Sequence, residues 1–180
     1  MSSLSWFIRF LPPIIFAILV FFWFGGALLP EKYTITRELR IDAPPGKVFT
    51  ALEEAADWVP WYTGKNPNVR VEGQRIYLSQ EDVVVVMEMV ETSSPSLVRY
   101  RQFLQDAKDV EPVAGKVDLV PADGGTIVRM EETVPVDSGP ARWMVYFSGD
   151  VLMGQVLARE LHNLKSFVET GETHDSAPTR

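Results

Sequence analysis

Three hydrophobic patterns succeed one another along the chain. From Phe10 to Leu29 the residues FLPPIIFAILVFFWFGGALL run for 20 positions without a charge, close to the length that spans a hydrocarbon core of about 30 Å. From Tyr33 to Asp42 polar and apolar residues alternate. Tyr33, Ile35, Leu39 and Ile41 share one face, and Thr34, Thr36, Glu38, Arg40 and Asp42 the other, which predicts a half-buried strand. Arg37 falls on the apolar side, at a strand end, in a buried pair or as a polar group in a cavity. Lys47 to Glu54 then places Val48, Phe49, Ala51 and Leu52 at helical spacing, with Pro45 suited to a first turn. Ala55 to Trp61 continues as a second short helix, interrupted by Pro60.

Beyond Pro67 the strand period returns over Val69 to Val71, Arg75 to Ser79, Val83 to Glu91, Leu97 to Leu104, Val113 to Val120 and Thr126 to Val136. Glu72-Gly73-Gln74, Ser93-Ser94-Pro95 and Ala122-Asp123-Gly124-Gly125 are the turns between them, and links this short imply an antiparallel meander. Gln105 to Pro112 reads as a longer exposed loop. A final helix is predicted from Ala141 to Thr170, capped by Asp137 or Ser138. Its apolar stripe is Val151, Leu152, Leu157, Leu161, Leu164 and Val168, with Arg159, Glu160, Asn163 and Lys165 largely opposite. Gly149 and Gly154 predict a kink or a ragged start. Residues 171–180 are polar and aperiodic, a disordered tail. The order is α+β, with a curved antiparallel sheet wrapped around one long helix.

The division is therefore residues 1–30, 31–170 and 171–180. The first piece reads as an N-terminal transmembrane anchor, one membrane helix ahead of the domain, and the membrane as a partner. A cleaved signal peptide is the competing reading, since Arg9, the apolar stretch Ile14 to Phe24 and Gly25-Gly26-Ala27 match its three regions. Trp6, Phe7, Phe21, Phe22, Trp23 and Phe24 crowd both ends of the run, as in an interfacial belt. The charges Lys32, Arg37, Arg40 and Lys47 pull the domain inside, whereas a very short tail before the apolar span is the layout of a signal anchor. A single-pass membrane protein with an extracytoplasmic (periplasmic) domain is the expectation.

Composition narrows the chemistry. The 180 residues hold no cysteine and two histidines, so disulfides, thiolate metal sites, a cysteine nucleophile and a three-histidine site are all excluded. No metal site is expected. The net charge of −7, without a Lys/Arg cluster, argues against nucleic acid as a partner. His162 lies off the apolar stripe and His174 in the tail, neither in a catalytic setting. Gly124-Gly125 and Gly25-Gly26 lack the pattern of a phosphate loop, so no cofactor is implied.

The residues YTITRELRIDAPPGKVF (Tyr33 to Phe49), followed by Asp57-Trp58-Val59-Pro60-Trp61, and VLMGQVLARELHNLKSFVE (Val151 to Glu169) at the other end resemble START-like (SRPBCC) proteins of the polyketide cyclase/dehydrase and lipid-transport group. The resemblance spans about residues 31 to 169. It implies a helix-grip fold with an apolar cavity between sheet and long helix, used to hold lipids or other hydrophobic molecules, and in some relatives to position a substrate for cyclisation or dehydration. It also puts Trp58, Trp61 and Tyr62 near the cavity mouth.

Flexible and broad apolar side chains suited to such a site are Trp58, Trp61, Tyr62, Met87, Met89, Tyr100, Phe103, Met130, Trp143, Tyr146, Phe147 and Met153. Each is also an ordinary core residue. Glu88 interrupts the run DVVVVMEMVE, and Arg99 and Arg101 sit in the neighbouring strand. Facing inward, Glu88 and an Arg orient a polar head, and Glu88 or Glu91 is the candidate catalytic carboxylate; facing water, they form a cross-strand pair. Three functions stand: a membrane-anchored carrier or binder of a hydrophobic ligand, a cyclase or dehydratase-like enzyme, and an interaction domain with a filled cavity.

Overall fold

A computed structural model describes residues 3–107 and 109–172, with side chains from Phe10 onward. Trp6, Phe7, Arg9, His174 and most of the expected tail thus lie outside the described side chains. The chain forms helix α1 (Ser3–Gly26), strand β1 (Lys32–Ile41), helices α2 (Pro45–Thr50) and α3 (Ala55–Trp58), a π-type turn over Val59–Thr63, strands β2 (Val69–Glu72), β3 (Arg75–Gln80), β4 (Val83–Ser93), β5 (Leu97–Leu104), β6 (Val113–Ala122) and β7 (Gly125–Pro135), and helix α4 (Gly139–Thr170).

The seven strands make one antiparallel sheet in the order β1-β7-β6-β5-β4-β3-β2. Consecutive strands pair as a meander, and β7 closes back on β1 with Ile35 opposite Glu132 and Arg37 opposite Met130. A register shift between Met89 and Glu91 bulges β4 outward at Val90 and adds to the curl of the sheet. Its concave face buries Ile35, Tyr100, Met87, Met130, Val98 and Val117.

Helix α4 closes that concave face by running along β1. The glycines expected to weaken it sit where β1 side chains need room. A Cβ on Gly149 would lie 3.0 Å from the Tyr33 ring, and one on Gly154 would lie 2.0 Å from the Arg37 guanidinium. Arg37 passes into this notch and donates to the Asp150 carbonyl and Oδ1, both at 3.0 Å. The helix is therefore continuous over 32 residues, neither broken nor ragged at its start. Ser138 caps it by accepting from the Ala141 amide, and Gly171 ends it in the left-handed conformation at φ 76°. Further along, Lys165 donates to the Arg40 carbonyl and Glu169 accepts from the Asp42 amide, fastening the helix to the end of β1.

Three boundaries differ from the sequence pattern. The first short helix stops at Thr50 rather than Glu54. Pro60 does not interrupt the second, because at the start of the π-type turn its missing N–H costs no hydrogen bond. Helix α1 ends at Gly26, and residues 27–29 close a turn in which Ala27, Leu28 and Leu29 donate to Phe24, Gly25 and Gly26. The uncharged helical run from Phe10 is thereby shortened to about 26 Å at about 1.5 Å per residue. Among the described residues no helix is long and apolar enough to cross a membrane, so the expected transmembrane helix is not found there.

One packing contact sets how closely the sheet accepts Tyr100. Its ring lies over Gly115 on the neighbouring strand, where an added Cβ would be 2.1 Å from the ring. Gly115→Ala is expected to cost about 1–3 kcal/mol by overpacking a ring that has nowhere to move. Chemical denaturation of the variant checks this, with an unchanged midpoint as the contrary result.

Candidate functional site

The lower part of the grip is built by α3 and the turn after it. The Glu54 amide donates to Asp57 Oδ2 at 3.2 Å and starts this short helix. The helix then points both indoles inward. Trp58 donates to the Leu52 carbonyl at 3.0 Å and Trp61 to the Ala51 carbonyl at 2.9 Å, so each N–H is satisfied while both side chains are 0% exposed. Their rings pack 4.8 Å apart, with Tyr100 at 5.1 Å and Tyr62 at 6.0 Å from Trp58. Aromatic edges and faces thus fill the space between this segment and the middle strands.

Where the aromatic layer meets α4, polar groups collect. Tyr100 donates to Glu132 Oε1 at 2.7 Å, and Gln102 donates both to that oxygen and to the Tyr62 hydroxyl, each at 3.2 Å. Tyr62, accepting from Gln102, retains its own proton to give. Glu160 enters from α4 at 9% exposure, and its Oε2 is buried with no hydrogen-bond partner. Burial pushes the Glu160 carboxyl up to about 8, and the charge of Glu132 adds to the rise. Burial likewise raises Glu132, against the hydrogen bond from Tyr100, and raises both tyrosines further out of reach of ionisation. Two carboxyl groups in one dry place cannot both ionise cheaply. Glu160, pushed up to about 8 by burial and by Glu132, is the protonated member at neutral pH.

Neither carboxylate was singled out by pattern. Glu160 was expected opposite the apolar stripe, yet it stands three residues from Leu157 and four from Leu164, and the structure buries it with them. Glu132 continues the inward parity of Val128 and Met130. A carboxylate at the wrong parity of a buried face was the available signal.

The expected ligand-facing residues divide into three groups. Trp58, Trp61, Met87, Met89, Tyr100 and Met130 are buried in the core, and half-buried Tyr62 and Met153 pack against it. Phe103 lies on the outer face, beneath the Arg101 guanidinium at 5.7 Å, because three residues separate it from Tyr100 and strand parity turns it away. Trp143 and Phe147 lie outside the grip altogether, stacked on each other at 5.7 Å beside α1. So does exposed Tyr146. Glu88 also faces outward, held by Arg75 at 2.6 Å and Arg101 at 2.5 Å. The hydrogen bond from Arg75 is the main reason its carboxyl is held below the usual range. It is a cross-strand ion pair without the raised pKa that a general acid needs.

Open space lies elsewhere. A cleft of about 570 Å³ opens between α2, α3 and the end of α4, lined by Lys47, Ala51, Asp57, Pro60, Phe167 and Glu169 among others. A smaller one of about 110 Å³ lies where the α1–β1 link meets α4, against Tyr33, Val136 and Arg142. Neither is lined by Trp58, Trp61, Tyr100 or Met130. Side chains occupy the part of the interior where an apolar cavity was implied. The concave row at its α1 end remains only half covered, with Tyr33, Val134, Val113 and Gln102 all of intermediate exposure. Among the described residues no group of His, Asp or Glu is arranged to hold a metal.

The family model for polyketide cyclase / dehydrase and lipid transport proteins matches residues 32–169. The chain belongs to that family. Its fold is shared with an uncharacterized protein from Rhizobium leguminosarum at 19% identity and a TM-score of 0.56, covering 77% of this chain and 95% of that one. It is shared equally with the Aha1 dimer from Colwellia psychrerythraea at 16% identity and a TM-score of 0.56, covering 77% and 98%. A protein of the dynemicin biosynthetic locus matches at 14% identity and a TM-score of 0.56, covering 78% of this chain and 48% of that one. No curated protein matches in sequence.

The helix-grip fold of this polyketide cyclase/dehydrase family member therefore carries a neutral acid, a second buried carboxyl and a phenol at one place. Such a set has the chemistry to donate, accept and exchange a proton. Its titration is visible in stability. A carboxyl near 4.3 when unfolded and near 8 when folded binds its proton more tightly in the native state. The stabilisation is whole below about pH 4.3 and is lost as pH rises towards 8. The melting temperature is expected to fall between pH 5 and pH 8, with Glu160 contributing a slope of up to about 1.4 kcal/mol per pH unit. Glu160→Gln should flatten this fall in a thermal-denaturation series, and a profile parallel to the unaltered protein would assign the proton elsewhere.

Proposed function

We propose that the protein binds a hydrophobic ligand, a lipid by its surroundings, and that α1 holds the domain at the membrane from which the ligand comes. The observation that carries the reading is the unpaired Glu160 oxygen. A buried polar atom without a partner costs about 1–3 kcal/mol, and here it persists among Leu157, Leu161 and Leu164, facing Tyr62 and Glu132. A ligand head that hydrogen-bonds it removes that penalty. The apolar body then covers the half-buried row of Tyr33, Val134 and Val113, with Met153 on the helix side.

The electrostatics select the head. Neutral Glu160 and the Tyr62 hydroxyl suit an alcohol, amide or carbonyl. A ligand carboxylate meets the charge of Glu132, offset only in part by exposed Arg159, whose charge is the smallest of the influences on Glu160 and Tyr62, so it is disfavoured. Membership in the family supports either hydrophobic-ligand binding or a cyclase-like role. The raised Glu160 carboxyl is the specific observation favouring the second reading, a cyclase or dehydratase-like enzyme in which Glu160 gives its proton to the bound substrate.

Native mass spectrometry of the full chain released from lipid nanodiscs, after incubation with a long-chain alcohol or the fatty acid of equal length, tests the binding reading. A stoichiometric alcohol adduct, weak or absent for the acid, is expected. Glu160→Leu should weaken alcohol binding by about tenfold, the worth of one such hydrogen bond. An apo mass with every apolar candidate sinks the carrier reading and leaves the filled interior as a scaffold for a protein partner.

A further inference from the structure

The outward face of α4 changes character half-way along its length. Met144, Phe147 and Val151 recur at spacings of three and four, with Leu152 and Val156 beside them, and all five are exposed, Phe147 by 72%. The same stripe continues into Gln155, His162 and Ser166, with Arg159 flanking, and is polar apart from the small Ala158. The opposite face is buried from Gly149 onward, through Gly154, Leu157, Leu161, Leu164 and Val168. A helix lying on a water-bathed domain has a polar outer face along its whole length. The first half of α4 does not.

Its two charged side chains are both engaged rather than free. Asp150 accepts from Arg37. Arg142 donates to the Val136 carbonyl at 2.9 Å, to the Leu29 carbonyl at 3.3 Å and to Glu31 at 3.2 Å, pinning the link between α1 and β1.

The apolar stripe is continuous with α1. Gly26 and Gly139 touch through their backbones, since a Cβ on Gly26 would lie 2.1 Å from the Gly139 carbonyl oxygen. Trp143 donates its indole N–H to the Phe22 carbonyl at 3.1 Å and packs on Phe21 at 5.7 Å, with Phe147 stacked behind it. From Phe10 to Phe24, α1 exposes large apolar side chains in every direction, including Ile14, Phe16, Leu19, Trp23 and Phe24. A protein partner covers one side of a helix, whereas hydrocarbon surrounds it. An apolar helix with no polar face is suited to lipid rather than to a second copy of the chain.

We propose that the outward face of α4 from Met144 to Val156 lies in the headgroup–acyl boundary of the bilayer that receives α1. Trp143, Tyr146 and Trp23 stand at the level where amphipathic rings collect. The water line crosses α4 between Val156 and His162. This placement rests on α1 being a membrane segment, and it goes beyond an anchor alone because it orients the domain. The end of the concave face bearing Tyr33, beneath Gly149, is thereby turned to the lipid.

The absence of cysteine makes site-specific labelling straightforward. Phe16→Cys, Phe147→Cys, Val151→Cys and His162→Cys of the full chain, each carrying an environment-sensitive fluorophore, are measured in phosphatidylcholine vesicles containing nitroxide-labelled lipid. The labels at 147 and 151 are expected to shift to the blue and be quenched by nitroxide near the headgroup. The label at 16 is expected to be quenched by nitroxide deeper in the chain, and that at 162 to remain aqueous. A quenched label at 16 with aqueous labels at 147 and 151 overturns the α4 placement and keeps α1 as an anchor. An aqueous label at 16 overturns both. Blue-shifted labels at 147 and 151 that escape lipid nitroxide but quench one another assign the face to a second copy of the chain, and so also overturn the proposal. None of these outcomes bears on ligand binding, because every label lies away from Glu160.

Discussion

The close laying of α4 along β1 governs the rest of the structure. A helix this long can cover the concave face of a curved sheet only if the side chains of the strand beneath have somewhere to go. Gly149 and Gly154 supply that space, the first for Tyr33 and the second for Arg37. Arg37 then becomes a bolt from strand to helix through Asp150, and Lys165 and Glu169 repeat the fastening at the far end of β1. Residues that look like weaknesses in an isolated helix are thus the condition for its docking. Tertiary packing outweighs an intrinsic propensity penalty of about 1 kcal/mol per glycine.

With α4 drawn to β1 and β7, it cannot cover β4 and β5 as well. That side is filled by Trp58 and Trp61, whose backbone-bonded indoles turn a short helix and a π-type turn into a rigid wedge. Glu160, Glu132, Gln102 and the two tyrosines occupy the seam between helix and wedge. The seam is deep enough to raise a carboxyl to about 8 and is flanked by a concave row that remains half open. A polar seam in an apolar interior is where the buried carboxyl and phenol groups of this molecule meet.

The two ends of the grip therefore differ in character. At the far end α4 is polar outside and tied to β1 by hydrogen bonds from Lys165 to the Arg40 carbonyl and from the Asp42 amide to Glu169. At the near end it is apolar on both sides, and its backbone meets α1 through paired glycines. The half-covered part of the concave face lies towards the apolar end, so the opening and the lipid-like surface fall on the same side. The α1–β1 link, pinned by Arg142, keeps that relation fixed.

Much of this was legible in one dimension. Alternation located β1 and repeated β signals the other six strands, Asp137 or Ser138 marked the start of α4, and the residues at the two ends of the domain pointed to the family that residues 32–169 match. Strand parity sets Met87 and Met89 against Glu88, and Tyr100 against Phe103, a signal that grouping Phe103 with the ligand-facing residues passed over. Which parity is inward, and which arc of α4 meets the sheet, depend on the curl of the sheet and the glycine notches. Those arise only when distant segments touch. For that reason the pattern could name Trp58, Trp61 and Met130 as apolar and yet not tell a packed core from a hollow one. The Glu132–Glu160 meeting, the carboxyl it neutralises and the outward apolar half of α4 were decided by tertiary structure, because burial and charge coupling are properties of neighbours in space. The sequence by itself determined the periods, the caps, the uncharged run and the absence of thiols, since each of these follows from local stereochemistry or from counting.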